Sequence, residues 1–317
     1  MCVAAMCAIA APAAAQVQTG DLRSRPHVAV TFAADPEVAV GTLGDRFGIR
    51  TVGATAAVPI FGEAPSQPLS DRRTFRLLLD GGFHAASSTL PFVVAQQTLS
   101  NGQGGVTGIH GLNRTNALVW SVDLGFAQAR SATATTTSGS AARLLGRATG
   151  VHRQSESLTL IYGADYSYTS GKGRVVPVLG VQWRPNLGST SIRITAPFDG
   201  VVLQRLNARV SVGGRVALQG NQYKFANNGQ FPGNSDSLAL SLREVRAGAD
   251  ASVRMTSMLF LVGEAGASTV RHLGAVDKKT EIYVPPIRTS PYFKISLRLS
   301  LSKNPHWDDL LGSSDTN

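Results

Sequence analysis

From Ser290 to Lys303 the chain alternates strictly. Phe293, Ile295, Leu297, Leu299 and Leu301 are apolar, and Lys294, Ser296, Arg298, Ser300 and Ser302 between them are polar. Successive side chains of a β-strand point to opposite faces, so this stretch makes one apolar face and one hydrated face that carries two cations. One such strand also suits a soluble two-layer protein. The constraint comes from repetition and from length. Between Asn116 and Arg130, Leu118, Trp120, Val122, Leu124 and Phe126 alternate with Val119, Ser121, Asp123, Gly125 and Ala127. Soluble strands average about five or six residues. A tilted strand needs about 9–11 to cross a bilayer, with more where it projects beyond.

Composition narrows the choice. Charged residues make up 16% of the 317 residues, and mean hydropathy is near zero. The chain after its first residues has no apolar run of about 18, the length a membrane helix requires. Lipid leaves closed barrels as the alternative, because only helices and edgeless sheets satisfy every backbone group there. The formal charge is +10, but Arg is scattered singly along the strands, unlike the clustered cations of a nucleic-acid surface. Dispersed Arg fits a basic lumen or contacts with lipopolysaccharide phosphates.

Residues 1–15 form a short apolar segment ending Ala13-Ala14-Ala15, the small-residue pattern of a signal peptide cleaved before Gln16. Both cysteines, Cys2 and Cys7, lie inside it. Residues 16–45 read as a polar N-terminal lead containing one strand candidate, Val28 to Phe32. Residues 46–303 read as the barrel and 304–317 as a polar C-terminal tail. Within the barrel, Phe47 to Ile60 and Arg72 to His84 are strands. The segment 85–114 reads as the longest loop, because Asn101-Gly102-Gln103-Gly104-Gly105 is turn chemistry. It lacks the Lys and hydroxyl residue of a phosphate-binding loop. Further strands follow at Ala141 to Val151, Ser157 to Thr169, Arg174 to Arg184, Thr190 to Thr195, Gly200 to Gln204, Asn207 to Gln222, Leu238 to Arg254 and Met258 to Arg271. The phase slips inside Leu238 to Arg254, and a β-bulge near Arg243-Glu244 restores it. The expected fold is all-β: a closed, antiparallel, up-and-down transmembrane β-barrel of about 12 strands, within a range of about 10 to 14.

The residues Tyr162-Gly163-Ala164-Asp165-Tyr166-Ser167-Tyr168, Ser170-Gly171-Lys172 and Val176-Pro177-Val178-Leu179-Gly180-Val181-Gln182-Trp183-Arg184-Pro185, with Glu244-Val245-Arg246-Ala247-Gly248 further on, carry a resemblance. From about Leu158 to Ser302 the chain resembles a domain family of unknown function found in proteobacterial outer-membrane β-barrels. The resemblance implies the barrel fold and an outer-membrane address, and brings no substrate and no catalytic residues. Such barrels often end on an aromatic residue, whereas this strand runs on into Lys303 and a tail.

Asp123, Asp165, Arg209, Arg215, Arg246, Asp250, Arg254, Lys294 and Arg298 fall on the polar faces and are the candidate lumen-lining residues. Tyr162, Tyr166, Tyr168, Trp120 and Trp183 suit the aromatic girdle or the lipid face. The six His show no metal-ligand spacing, and the mature chain has no Cys, so neither metal nor cofactor is expected. Candidates for ester chemistry are limited to His84 with Ser87, and His152 with Ser155 and Glu156. The expected function is a non-enzymatic outer-membrane barrel with a narrow channel for small, anionic solutes. The alternatives are a structural barrel with a plugged lumen, a lipid-modifying barrel enzyme, and a soluble periplasmic β-sandwich. Expected partners are outer-membrane lipid, lipopolysaccharide and the barrel-insertion machinery, with no nucleic acid.

Overall fold

The computed structural model describes residues 26–40, 45–62, 73–89, 97–131, 141–169, 172–185, 189–197, 199–226, 237–277, 280–283 and 288–301. The expected signal peptide and C-terminal tail lie outside them. The first strands are β1 (His27–Val40), β2 (Asp45–Gly62), β3 (Thr74–Thr89), β4 (Gln97–Gly111) and β5 (Asn116–Ser131). Then come β6 (Ala141–Arg153), β7 (Leu158–Thr169), β8 (Lys172–Trp183), β9 (Thr190–Ala196) and β10 (Asp199–Arg205). The rest are β11 (Val210–Ala226), β12 (Ser237–Arg254), β13 (Leu259–Asp277), β14 (Thr280–Tyr283) and β15 (Ser290–Ser300). From β1 to β13 each strand pairs antiparallel with the next, β1 pairs with β15, and β15 pairs with β13. The β12–β13 pairing closes the ring, while β14 pairs only with the upper end of β13. Fourteen strands therefore form the wall, an even number that places the start of β1 and the end of β15 on one side.

Two strands exceed the expected count, and each has a physical reason. β1 lies inside the stretch expected as a lead, where the alternation from His27 to Phe32 is short and breaks at Ala33-Ala34-Asp35. The barrel thus begins before residue 46. β4 runs through the Gly-rich segment expected as a loop. The glycines there answer to close neighbours across the strands. A Cβ on Gly102 would lie 2.7 Å from the Phe126 ring. One on Gly105 would lie 2.2 Å from the Val122 carbonyl oxygen, and one on Gly108 2.3 Å from the Trp120 ring. The glycines are recesses in the wall that receive aromatic rings and backbone from β5. Gly105→Val therefore forces β4 and β5 apart and is expected to cost about 1–3 kcal/mol. Unfolding in urea from lipid vesicles measures it, and an unchanged midpoint would return the segment to a loop.

Four of the connections at the end holding His27 and Ser300 share one design. Residues 112–115, 154–157, 206–209 and 255–258 are tight turns in which the first two N–H groups donate to a single carbonyl, as Leu206 and Asn207 do to Val210 (3.0 and 3.3 Å). A polar side chain in second position caps each turn: Asn113, Ser155, Asn207 and Thr256 accept from backbone N–H groups after them. Short periplasmic turns are a property of outer-membrane barrels. The β-bulge near Arg243-Glu244 is present, as a register shift between Arg243 and Val245 against β13.

Candidate functional site in the barrel interior

The wall is apolar outside and polar inside. On β15 Phe293, Ile295, Leu297 and Leu299 are exposed while Ser296, Arg298 and Ser300 are buried. The same holds for exposed Val28, Val30 and Phe32 against buried His27 and Thr31 on β1, and for exposed Val122, Leu124 and Phe126 against buried Ser121 and Asp123 on β5. Tyr162, Tyr166, Tyr168 and Trp183 also stand exposed on the outer wall. A protein folding in water does the reverse.

Most of the expected lumen residues point inward, into three clusters. Arg246 on β12 is the hub of the first. Its Nη2 donates to Asp35 Oδ2 of β1 at 2.7 Å, its Nε donates to Glu244 Oε1 at 2.7 Å, and its guanidinium lies 4.9 Å from the Tyr292 ring centre. The Tyr292 hydroxyl donates to Glu264 Oε1 at 2.5 Å, and the Ser268 hydroxyl to Glu244 Oε2 at 2.6 Å. Two inward rows along from Arg246, Asp250, Glu264 and Lys294 lie side by side across β12, β13 and β15. The second cluster is a triad. Asp199 on β10 accepts from Arg193 on β9 (3.2 Å) and from Arg215 on β11 (2.9 Å), and all three are buried. In the third, Asp165 on β7 receives two parallel hydrogen bonds, at 2.6 and 2.7 Å, from Arg147 on β6. That fork geometry is what Arg offers and Lys does not.

Asp123 is 1% exposed and Arg298 3% exposed, both on the inner face. Arg254 sits at the turn end, where it donates to the Thr256 and Ser257 carbonyls (3.2 and 3.0 Å) and covers the Phe260 ring. Arg209 is the correction. Asn207 caps the turn, so β11 begins only at Val210, and Arg209 stands exposed beyond the strand. The inward partners Asp35, Arg147, Arg193, Asp199, Glu244 and Tyr292 were not among the candidates. The bulge between Arg243 and Val245 explains the inward position of Glu244.

The ester-chemistry pairs are not assembled. His84 and Ser87 lie on opposite faces of β3, as residues three apart in a strand must. His152 Nδ1 shares a hydrogen bond with Asn116 Oδ1 (2.8 Å), and Ser155 shares one with Ser157.

Among the described residues, opposite walls of the interior meet. A round barrel of fourteen strands would be roughly 28 Å across at ordinary spacing and tilt. Yet β5 and β11, on opposite sides of the ring, bring Cα atoms within 8 Å of each other. Val262 of β13 packs on Val201 and Leu203 of β10 across the same interior. Many inward residues are short, such as Ser121, Ser211, Ala217, Ser252 and Ser296, and they are nonetheless buried. Short side chains cannot fill a wide cylinder, so the cross-section is flattened until the walls meet.

No protein-family model matches the chain, and no curated protein does. Similar solved structures are outer-membrane barrels of low identity. The transport unit of the autotransporter AIDA-I from Escherichia coli is 13% identical, with 94% of this chain and 98% of that chain covered at a TM-score of 0.42. The translocator domain of the autotransporter NalP from Neisseria meningitidis is 13% identical, with 94% and 96% covered at 0.36. The Pseudomonas putida toluene transporter TodX is 11% identical, with 90% and 93% covered at 0.35. The assignment rests on the wall itself, which is edgeless, apolar outside and polar inside. The chain is an outer-membrane β-barrel of fourteen strands.

Proposed function

We propose that this protein is a non-enzymatic outer-membrane barrel that works as a narrow pore for small solutes, shut in its resting conformation. The observation that carries this reading is the chemistry of the closed interior. A permanently sealed barrel gains most from large apolar side chains that interlock. Here, apart from Val262 on Val201 and Leu203, the buried inward residues are mostly small and polar, and such surfaces separate into water at little cost. Ion pairs held within one wall, as Arg147–Asp165 and Asp199 with its two arginines are, can stay intact while the walls part. On this reading the partners are outer-membrane lipid, lipopolysaccharide and the insertion machinery.

Single-channel recording in planar bilayers tests it. Long closed periods with brief, small openings are expected. A large steady conductance would mean an open porin, and complete silence from folded protein under every applied voltage would mean a purely structural barrel.

A further inference from the structure

The inner clusters mix acid with base, but the mouth at the tight-turn end is almost all base. Arg114 and Arg209 lie in the turns and are exposed. Arg153, Arg205 and Arg254 close the strands that enter three of these turns, and Arg184 follows β8 at the same end. Arg153 and Arg254 lay their guanidinium groups over turn carbonyls, which holds them at the rim. Among the described residues of these turns and the positions beside them, six arginines thus stand at this mouth and Glu156 is the one carboxylate. The turn chemistry alone asks for Asn, Ser or Thr at one position and does not ask for Arg.

We propose that this ring collects small anions at the periplasmic mouth and sets the solute class of the pore. The inference rests on the pore reading above and adds its selectivity. Charges fixed on a rim raise the local concentration of the opposite ion, and rings of Arg or Lys line anion-selective pores. The effect fades when salt shortens the Debye length to about 3 Å near 1 M.

Two measurements test it. Across a gradient from about 0.1 M to about 0.01 M KCl, where screening is weak, the reversal potential of the openings should take the sign set by chloride. The combined variant Arg114→Gln, Arg184→Gln and Arg209→Gln should move it most of the way to zero. A cation-selective sign, or a reversal potential untouched by the triple change, overturns the ring. The second measurement needs no conduction. In a Trp120→Phe, Trp307→Phe background, Trp183 reports from beside Arg184. Iodide should quench it several-fold better than caesium at low salt, and the gap should collapse in the triple variant. Equal quenching by both ions overturns the proposal. If no openings occur while iodide still wins, the pore reading falls and the anion-collecting ring stands.

Discussion

Asp199→Ala is expected to destabilise the barrel by about 3–5 kcal/mol, the cost of leaving buried charge without its counter-ion. Asp199 serves both Arg193 and Arg215, at 3.2 and 2.9 Å, and the side chains of the three are 2%, 9% and 4% exposed. Removing the carboxylate leaves two buried guanidinium groups side by side without their counter-ion. Asp199→Asn keeps an acceptor but loses the charge, and should fall between wild type and Asp199→Ala. Urea unfolding of refolded protein in lipid vesicles gives the values, with heat-modifiable gel migration confirming that each variant folds. The result also bears on the state of the lumen. Exposed ion pairs contribute only about 0–1 kcal/mol because water screens them. A loss below about 1 kcal/mol for Asp199→Ala would mean that water already fills the interior, and the closed lumen would fall with it.

What the sequence disclosed, and what it did not, follows from where each kind of information sits. Alternation is local, so β5, β7, β11 and β15 can be read with their inward and outward faces assigned. Phase is local too, and the slip at Arg243-Glu244 marks its bulge in the strand itself. β4 was hidden because its glycines make sense only beside Phe126, Val122 and Trp120 of the next strand. The strand expected from Asn207 starts three residues later, at Val210, which leaves Arg209 in the turn. The repeated cap of Asn113, Ser155, Asn207 and Thr256 was the signal that would have corrected it. Asp35 and Arg246 are separated by most of the chain, and only ring closure brings them together. The flattening has no local signature, because it depends on the summed shortness of inward side chains on opposite walls.

Leu297→Arg separates a lipid-facing wall from a water-facing one by the size of its effect. Leu297 lies between Val30 of β1 and Leu261 of β13 in directly opposed positions, and the three are 46%, 55% and 40% exposed. On a soluble β-sandwich a half-exposed Leu in water would accept Arg within about 0.5 kcal/mol. In the middle of a bilayer, Arg on the outer face of a barrel costs about 2–4 kcal/mol. The guanidinium cannot reach a carboxylate of the lumen, because the strand sends it to the opposite side. It must climb toward the headgroups or draw water into the hydrocarbon. The expected result is a loss of about 2–4 kcal/mol in vesicle unfolding, with a smaller loss for Val28→Arg near the strand end, where the interface lies closer. Equal and negligible costs at both positions would place the outer face in water, and the fourteen-stranded wall would then need another reason to carry its leucines on the outside.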